Sequence, residues 1–253
     1  MVRSSLIAEQ SSWRRVLRFG LTLIRDPAKF GQALRLRMSL GRTRYLPSCC
    51  VEAAEGSDKL AGVRLRRGAK TWTELCDYLA VGYGLVPNTE LAALLGCEIV
   101  NGAVRVNDVQ QTSVPSVYCA GESTGIGGLD LSLVEGQIAG YAATGRIQLA
   151  RALFARRMRS IRFAAALECA FALRDELRTI ADAATVICRC EDVIFGQLQS
   201  VDSWRSAKLQ VRCGMGPCQG RVCGPIVQFL FGWQPESIRP PLFPARVASL
   251  ISQ

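Results

Sequence analysis

Residues 188–225 read CRCEDVIFGQLQSVDSWRSAKLQVRCGMGPCQGRVCGP and contain two close pairs of cysteines. Cys188 and Cys190 form a C-x-C pair, and Cys218 and Cys223 form a C-x4-C pair among glycines. Two pairs of thiolates are the donor set of a 2Fe-2S cluster, because each iron binds two protein sulfurs and two bridging sulfides. The stretch therefore predicts a metal centre.

The residues around the second pair favour close approach of the backbone to the sulfurs. Glycine has no Cβ, so its neighbouring amides can donate to a thiolate; the glycines in question are Gly214, Gly216, Gly220 and Gly224. Pro217 is a favourable first residue for a helix. We expect a helix to begin just before Cys218 and to direct the positive end of its dipole toward an anionic cluster.

Two other interpretations of the cysteines remain open. Cysteines of a chain with 11 of them can be buried structural residues. Four thiolates can also hold a structural zinc ion. The sequence contains no histidine, which excludes a cysteine-histidine metal site.

The segments ICRCED (187–192) and RCGMGPCQGRVCGP (212–225) resemble a known family domain. They are similar to the ferredoxin-type domain, related to bacterioferritin-associated ferredoxin, of the flavoprotein subunits of bacterial opine oxidases, hydrogen cyanide synthase and related amino-acid dehydrogenases. The resemblance leaves Cys213 outside the ligand pattern. It implies four ligands of a 2Fe-2S cluster, namely Cys188, Cys190, Cys218 and Cys223.

A second region with chemical information runs from Tyr78 to Gly140. The apolar runs Tyr78–Val81 and Val117–Ala120 each precede glycines, and we expect both to be buried strands of a parallel sheet. The second run leads through a glycine-rich loop into a predicted helix. Small residues on that helix, Gly136, Ala139 and Gly140, would let it pack closely against the sheet.

This region resembles the second flavin-binding motif of flavoproteins that have two dinucleotide-binding domains. The resemblance implies that Gly121 and Glu122 belong to the FAD site, where Glu122 holds the ribityl or ribose hydroxyls. It further implies that backbone amides face the pyrophosphate or the flavin ring at Gly127, Gly128 and Leu129. The expected fold class is α/β, a partial two-dinucleotide-binding-domain flavoprotein followed by a small, mostly helical 2Fe-2S domain.

Neither of the glycine-rich G-x-G-x-x-G fingerprints of a complete member occurs in the sequence. We therefore expect the chain to correspond to the C-terminal part of a longer flavoprotein and to bind FAD incompletely without the rest. The predicted domains are a partial NAD-type domain (1–80), the C-terminal part of the FAD domain (81–146), a helical connector (147–182), the 2Fe-2S domain (183–235) and a proline-rich tail (236–253).

Composition and charge limit the environment and the partners. The whole net charge of +10 arises in residues 1–70, which hold 15 basic and 5 acidic side chains. No nucleic-acid recognition motif accompanies this charge, so a nucleic-acid partner is not expected. We expect no transmembrane segment, because no apolar run is long enough. Eleven cysteines without a secretory signal predict a reducing, cytoplasmic location.

Together with the cysteine pattern, the two resemblances imply an electron-transfer flavoprotein and iron-sulfur subunit of an FAD-dependent oxidoreductase that acts on amino acids, opines or related amines. The expected partners are a second flavoprotein oxidase subunit and an electron acceptor. No catalytic acid or base can be assigned. The alternative is a non-enzymatic module, either ferredoxin-like or stabilised by zinc.

Overall fold

The computed structural model describes residues 5–8, 13–41 and 43–234, together with residues 238, 240, 242, 243 and 246. The proline-rich tail, 236–253, therefore lies almost entirely outside the described residues. The chain divides into two compact units, of which one comprises residues 1–84 and 159–180 and the other residues 85–158 and 181–253. Within the described part of the chain, no helix is both long and apolar enough to cross a bilayer.

The first unit begins with two parallel strands joined by two helices. Its elements are β1 (Ser5–Ala8), α1 (Trp13–Ile24), α2 (Pro27–Ser39) and β2 (Arg44–Pro47). A parallel pair needs a long crossover connection, and here the two helices provide it. Asp26 caps α2 by accepting a hydrogen bond from the Lys29 amide at 3.2 Å, and Pro27 occupies the first turn. The boundary between α1 and α2 thus lies at Asp26–Pro27.

An antiparallel sheet follows in the same unit, made of β3 (Cys50–Glu55), β4 (Gly62–Arg67) and β5 (Lys70–Leu75). β3 and β4 form a hairpin with its turn at residues 56–61. Gly56 is required there, because its φ is +149° and a Cβ would lie 2.0 Å from the Lys59 carbonyl oxygen. Leu46, Val63 and Leu65 form the centre of this unit's apolar core.

The second unit begins with short elements and continues into longer helices. In chain order they are α3 (Glu90–Leu94), β6 (Ile99–Val100), β7 (Ala103–Val104), a 3-10 helix (Gly121–Thr124), α4 (Leu129–Ala143), α5 (Ile147–Ala152) and α6 (Phe154–Phe171), of which residues 159–171 belong to the first unit. A 3-10 helix of the first unit follows at Asp175–Thr179. The segment 186–231, here called the cysteine region, contains β8 (Val186–Cys188), β9 (Val193–Ile194), α7 (Phe195–Leu198), α8 (Trp204–Val211) and α9 (Cys223–Phe231).

Two predicted strands are wrong. Tyr78–Val81 has no regular structure, and Tyr78 is 93% exposed. Val117–Ala120 is half-buried and contributes only one isolated bridge, between Gln111 and Tyr118. An apolar run becomes a strand only when a neighbouring strand accepts its backbone hydrogen bonds, and among the described residues neither run pairs with one in a sheet.

The predicted role of small residues on α4 is also wrong. A Cβ added at Gly136 or Gly140 would meet no atom within 4 Å, so these glycines do not face a sheet. The buried side of α4 instead carries Leu131, Val134, Glu135, Ile138 and Ala142. This side fixes the glycine-rich loop that precedes the helix.

Candidate metal centre

The first pair of cysteines lies at the β8–β9 turn. Cys188 ends β8, faces Val193 of β9 in register and is 1% exposed. Cys190 follows in the turn itself and is exposed. Residues i and i+2 of a strand share a face, so the two sulfurs separate only because β8 ends at Cys188 and Cys190 lies in the turn that follows.

The second pair lies in a series of tight turns after α8. Cys218 is in these turns, and Cys223 is the first residue of α9. The predicted start of the helix just before Cys218, at Pro217, is therefore wrong, because α9 begins six residues later. The reason is the backbone of Gln219 and Gly220, whose φ values of +52° and +81° are left-handed and cannot continue into a helix.

Cys213 joins these residues although the sequence pattern left it out. It follows Arg212, which ends α8 in the left-handed conformation with φ +63°, and its amide donates to the Ala207 carbonyl at 3.1 Å. The Arg212 guanidinium in turn donates to Glu191 at 2.7 Å. This ion pair connects the end of α8 with the turn that carries Cys190.

The structure brings three buried sulfurs together. The Sγ atoms of Cys188, Cys213 and Cys223 all lie within 4.8 Å of one another, and each residue is at most 1% exposed. All three belong to the apolar core of the cysteine region, with Ile187, Val193, Leu198, Trp204, Ala207 and Val227. The pKa of Cys223 is raised far above its usual value, mainly by a hydrogen bond with the Cys213 thiol and secondarily by burial.

The two other predicted ligands contact each other nearer the surface. The Cys190 thiol is hydrogen-bonded to the Cys218 thiol and accepts from the Cys218 amide. The amide lowers the pKa of Cys190, but the thiol contact and neighbouring groups outweigh it, and the pKa is raised overall. The backbone amide of Val222, assisted by that of Gly220, lowers the pKa of Cys218.

Glycines permit this close packing. A Cβ at Gly216 would lie 2.2 Å from the Cβ of Cys190. At Gly214 and Gly220, where φ is +78° and +81°, a Cβ would lie 2.8 Å and 3.0 Å from the ring of Trp204. Trp204 is 5% exposed, and its ring packs against the turns that contain Gly214 and Gly220. Gly216 thus approaches a predicted ligand cysteine as expected, whereas Gly214 and Gly220 pack closely against Trp204.

The residues present fit an iron-sulfur cluster or another thiophilic metal. Cysteine thiolates are the preferred ligands of such metals, and backbone amides directed at sulfur stabilise the negative charge. Here the amides of Val222 and Gly220 are directed at Cys218. The buried group of sulfurs could not be predicted in full, because Cys213 is ten residues from Cys223 and only the turn after α8 brings the two together.

The predicted flavin residues lie along the loop before α4. Gly121 is buried with φ +77°, and Glu122 beside it is exposed. Gly128 precedes the first residue of α4, Leu129, which is 73% exposed, and no side chain caps this helix. A Cβ at Gly128 would meet nothing within 4 Å, whereas one at Gly127 would strike Leu131 at 2.1 Å.

Buried polar groups hold that loop in place. Glu135, which is 4% exposed, accepts from the Gly121 amide at 3.0 Å and from the Thr124 hydroxyl at 3.1 Å. Arg157 donates to the other carboxylate oxygen at 3.4 Å. With its amide oriented to satisfy both neighbours, the fully buried Gln110 accepts from Arg157 at 3.1 Å and donates to the Cys119 carbonyl at 2.8 Å. Sequence reasoning missed this network.

The parallel crossover and the glycine-rich loop leading into α4 are features of dinucleotide-binding α/β oxidoreductases. Residues 26–152 match the model of the pyridine nucleotide-disulphide oxidoreductase family, and the chain belongs to that family. The match ends before the cysteine region, so it does not test the metal centre.

Known relatives extend over more of the chain. Hydrogen cyanide synthase subunit HcnB of Pseudomonas aeruginosa is 30% identical over 88% of this chain and 54% of its own length. One of the opine oxidase subunits of Rhizobium meliloti strain 1021 is 34% identical over 69% of this chain and 44% of its own. These similarities confirm the sequence resemblance to both groups. The chain spans about half the length of these relatives.

Among solved structures, thioredoxin reductase of T. acidophilum aligns with 50% of this chain and 40% of its own at 23% identity. The TM-score is 0.35, below the range in which a shared fold is argued.

Proposed function

We propose that this chain is part of an FAD-dependent oxidoreductase for amino acids, opines or related amines, and that its cysteine region relays electrons through a 2Fe-2S cluster. The proposed ligands are Cys188, Cys190, Cys218 and Cys223. One observation carries the proposal: the buried sulfurs of Cys188 and Cys223 lie within 4.8 Å of each other, and Cys190 and Cys218 form a second contacting pair.

The protein groups have separate tasks in this mechanism. When bound, the cluster supplies one-electron chemistry between flavin and acceptor. The amides of Val222 and Gly220 lower the pKa of Cys218 and so favour the thiolate form that binds iron. Trp204 and the apolar core exclude water from Cys188 and Cys223. The exposed Cys190 gives the centre a side that faces solvent, where an electron acceptor can approach.

For the flavin, we propose that the exposed carboxylate of Glu122 binds ribityl or ribose hydroxyls. No side chain caps the start of α4, so the amides of Gly128, just before the helix, and Leu129, its first residue, would face the pyrophosphate. Together with Gly121 and Gly127 they form only part of a complete FAD site. The two relatives named above are subunits, which supports a partner flavoprotein subunit for this chain.

A second candidate is a zinc-stabilised interaction module. The grouping of Cys188, Cys213 and Cys223 favours it, because sulfurs that all lie within 4.8 Å can bind one tetrahedral ion together with a fourth thiolate. Such a module would carry no electrons.

Metal analysis of anaerobically purified chain separates the two candidates. The cluster predicts about two irons and two acid-labile sulfides per chain. Zinc at about one ion per chain without labile sulfide would reject the electron-relay function and favour the interaction module.

A further inference from the structure

We infer that Cys213 is a reserve ligand of the centre, able to replace Cys188 or Cys223 but not Cys190 or Cys218. This inference rests on the proposed 2Fe-2S cluster. It is motivated by position, because the Cys213 sulfur belongs to the same buried group as the sulfurs of Cys188 and Cys223.

The side chain is already in place for such a replacement. Cys213 has no exposed surface and is hydrogen-bonded to the Cys223 thiol. Its backbone is fixed on one side by the hydrogen bond to the Ala207 carbonyl at 3.1 Å. On the other side, Gly214 lies against Trp204. A sulfur held this way needs only a small movement to reach an iron bound by its neighbours.

The replacement is confined to the buried side of the centre. Cys190 and Cys218 are not members of the group of sulfurs within 4.8 Å of one another that includes Cys213. Loss of either of them would leave an iron that Cys213 is not positioned to reach. The inference therefore predicts an asymmetry between the two pairs of ligands.

The exchange is balanced and involves no change of oxidation state. The iron–Sγ bond to the replaced cysteine is absent or breaks, and that sulfur, where present, takes up a proton. The Cys213 thiol releases its proton to solvent as its sulfur forms the new bond to iron. The number of thiolate ligands is thereby restored.

Paired variants of the full chain test the inference through iron and sulfide content. Cys223→Ser is compared with Cys213→Ala/Cys223→Ser, so both proteins carry the same serine and differ only in the reserve thiol. Cys97→Ala/Cys223→Ser is the matched control, because Cys97 is a buried thiol of the same unit that is hydrogen-bonded to Thr112. Cys218→Ser and Cys213→Ala/Cys218→Ser form the second comparison.

We expect Cys223→Ser and its Cys97→Ala control to keep most of the parent iron and sulfide, with a shifted absorption spectrum. Cys213→Ala/Cys223→Ser should lose nearly all of it, and both Cys218 variants should lose it equally. Equal iron in Cys223→Ser and Cys213→Ala/Cys223→Ser, whether high or low, would overturn the inference while leaving the proposed function intact.

If circular dichroism shows that Cys223→Ser does not fold, Cys188→Ser and Cys188→Ser/Cys213→Ala are compared in its place. A parent chain without iron would overturn the proposed function and the inference together. The two failures are thus distinguished by the parent protein.

Discussion

Gly216 and Cys190 lie so close together that the glycine allows no side chain. We predict that Gly216→Ala displaces the Cys190 turn, because the new Cβ would lie 2.2 Å from the Cys190 Cβ. The expected results are a loss of iron per chain and a decrease in the free energy of unfolding of about 1–3 kcal/mol. Metal analysis and urea unfolding measure the two effects.

Gly224→Ala is the control for this substitution. Gly224 lies in α9, and its added Cβ would be 3.9 Å from Trp204, an ordinary contact. This variant should keep its iron. If Gly216→Ala bound as much iron as Gly224→Ala, the close packing of the two turns would not be needed for the centre.

The Glu135 carboxylate is the centre of the polar network under the flavin loop. We predict that Glu135→Ala lowers the free energy of unfolding by about 3 kcal/mol, because it removes the buried carboxylate that pairs with the largely buried Arg157. The Gly121 amide loses its acceptor as well. Chemical denaturation measures the change.

Glu122→Ala provides the comparison, since Glu122 is an exposed carboxylate of the same loop. Its effect on stability should stay within about 0.5 kcal/mol. If Glu135→Ala and Glu122→Ala lowered the free energy of unfolding by similar amounts, the network around Glu135 would not be what holds the loop.

Among the elements, α4 departs most clearly from what its sequence suggests. Its glycines look like contacts to a sheet, yet Gly136 and Gly140 have open space around them. We predict that Gly136→Ala stabilises the chain by about 0.5–1 kcal/mol, because alanine has the higher helix propensity and meets no obstacle. Thermal unfolding checks the prediction. A destabilised variant would indicate that another surface covers this side of α4 in solution.

The elements also explain which parts of the fold sequence could predict. Helix α1 and the β3–β4 hairpin have strong local signals, a helical apolar period and a turn at residues 56–61, which make both elements predictable from sequence. The strand predicted at Tyr78–Val81 depended on a pairing partner. No local pattern contains that information, so an apolar run was mistaken for a strand.

The same distinction applies to the candidate site. The C-x-C and C-x4-C spacings singled out four cysteines, because ligands that are close in sequence are close in space. Cys213 enters through the left-handed residue Arg212 at the end of α8, and this turn became evident only in the structure. The Glu135 network was missed for a similar reason, since Arg157 and Gly121 are distant from Glu135 in sequence.

At the scale of the whole molecule, the two units should respond differently to metal removal. Cys188, Cys213 and Cys223 belong to the apolar core of the cysteine region, whereas the β3–β5 sheet has a separate core. Because metal binding and folding are coupled, we predict faster hydrogen exchange over residues 186–231 after removal of the metal. Residues 50–75 should exchange at an unchanged rate. Uniform acceleration throughout the chain would contradict this account.

The most direct test of the central claim is the visible absorption spectrum of anaerobically purified protein before and after reduction with dithionite. The account predicts broad absorption bands from a 2Fe-2S cluster that decrease on reduction, and added FAD should contribute its own bands to the extent that the partial site binds it. A colourless protein would contradict the electron-relay function and leave zinc or buried structural cysteines as the explanation of the sulfur group.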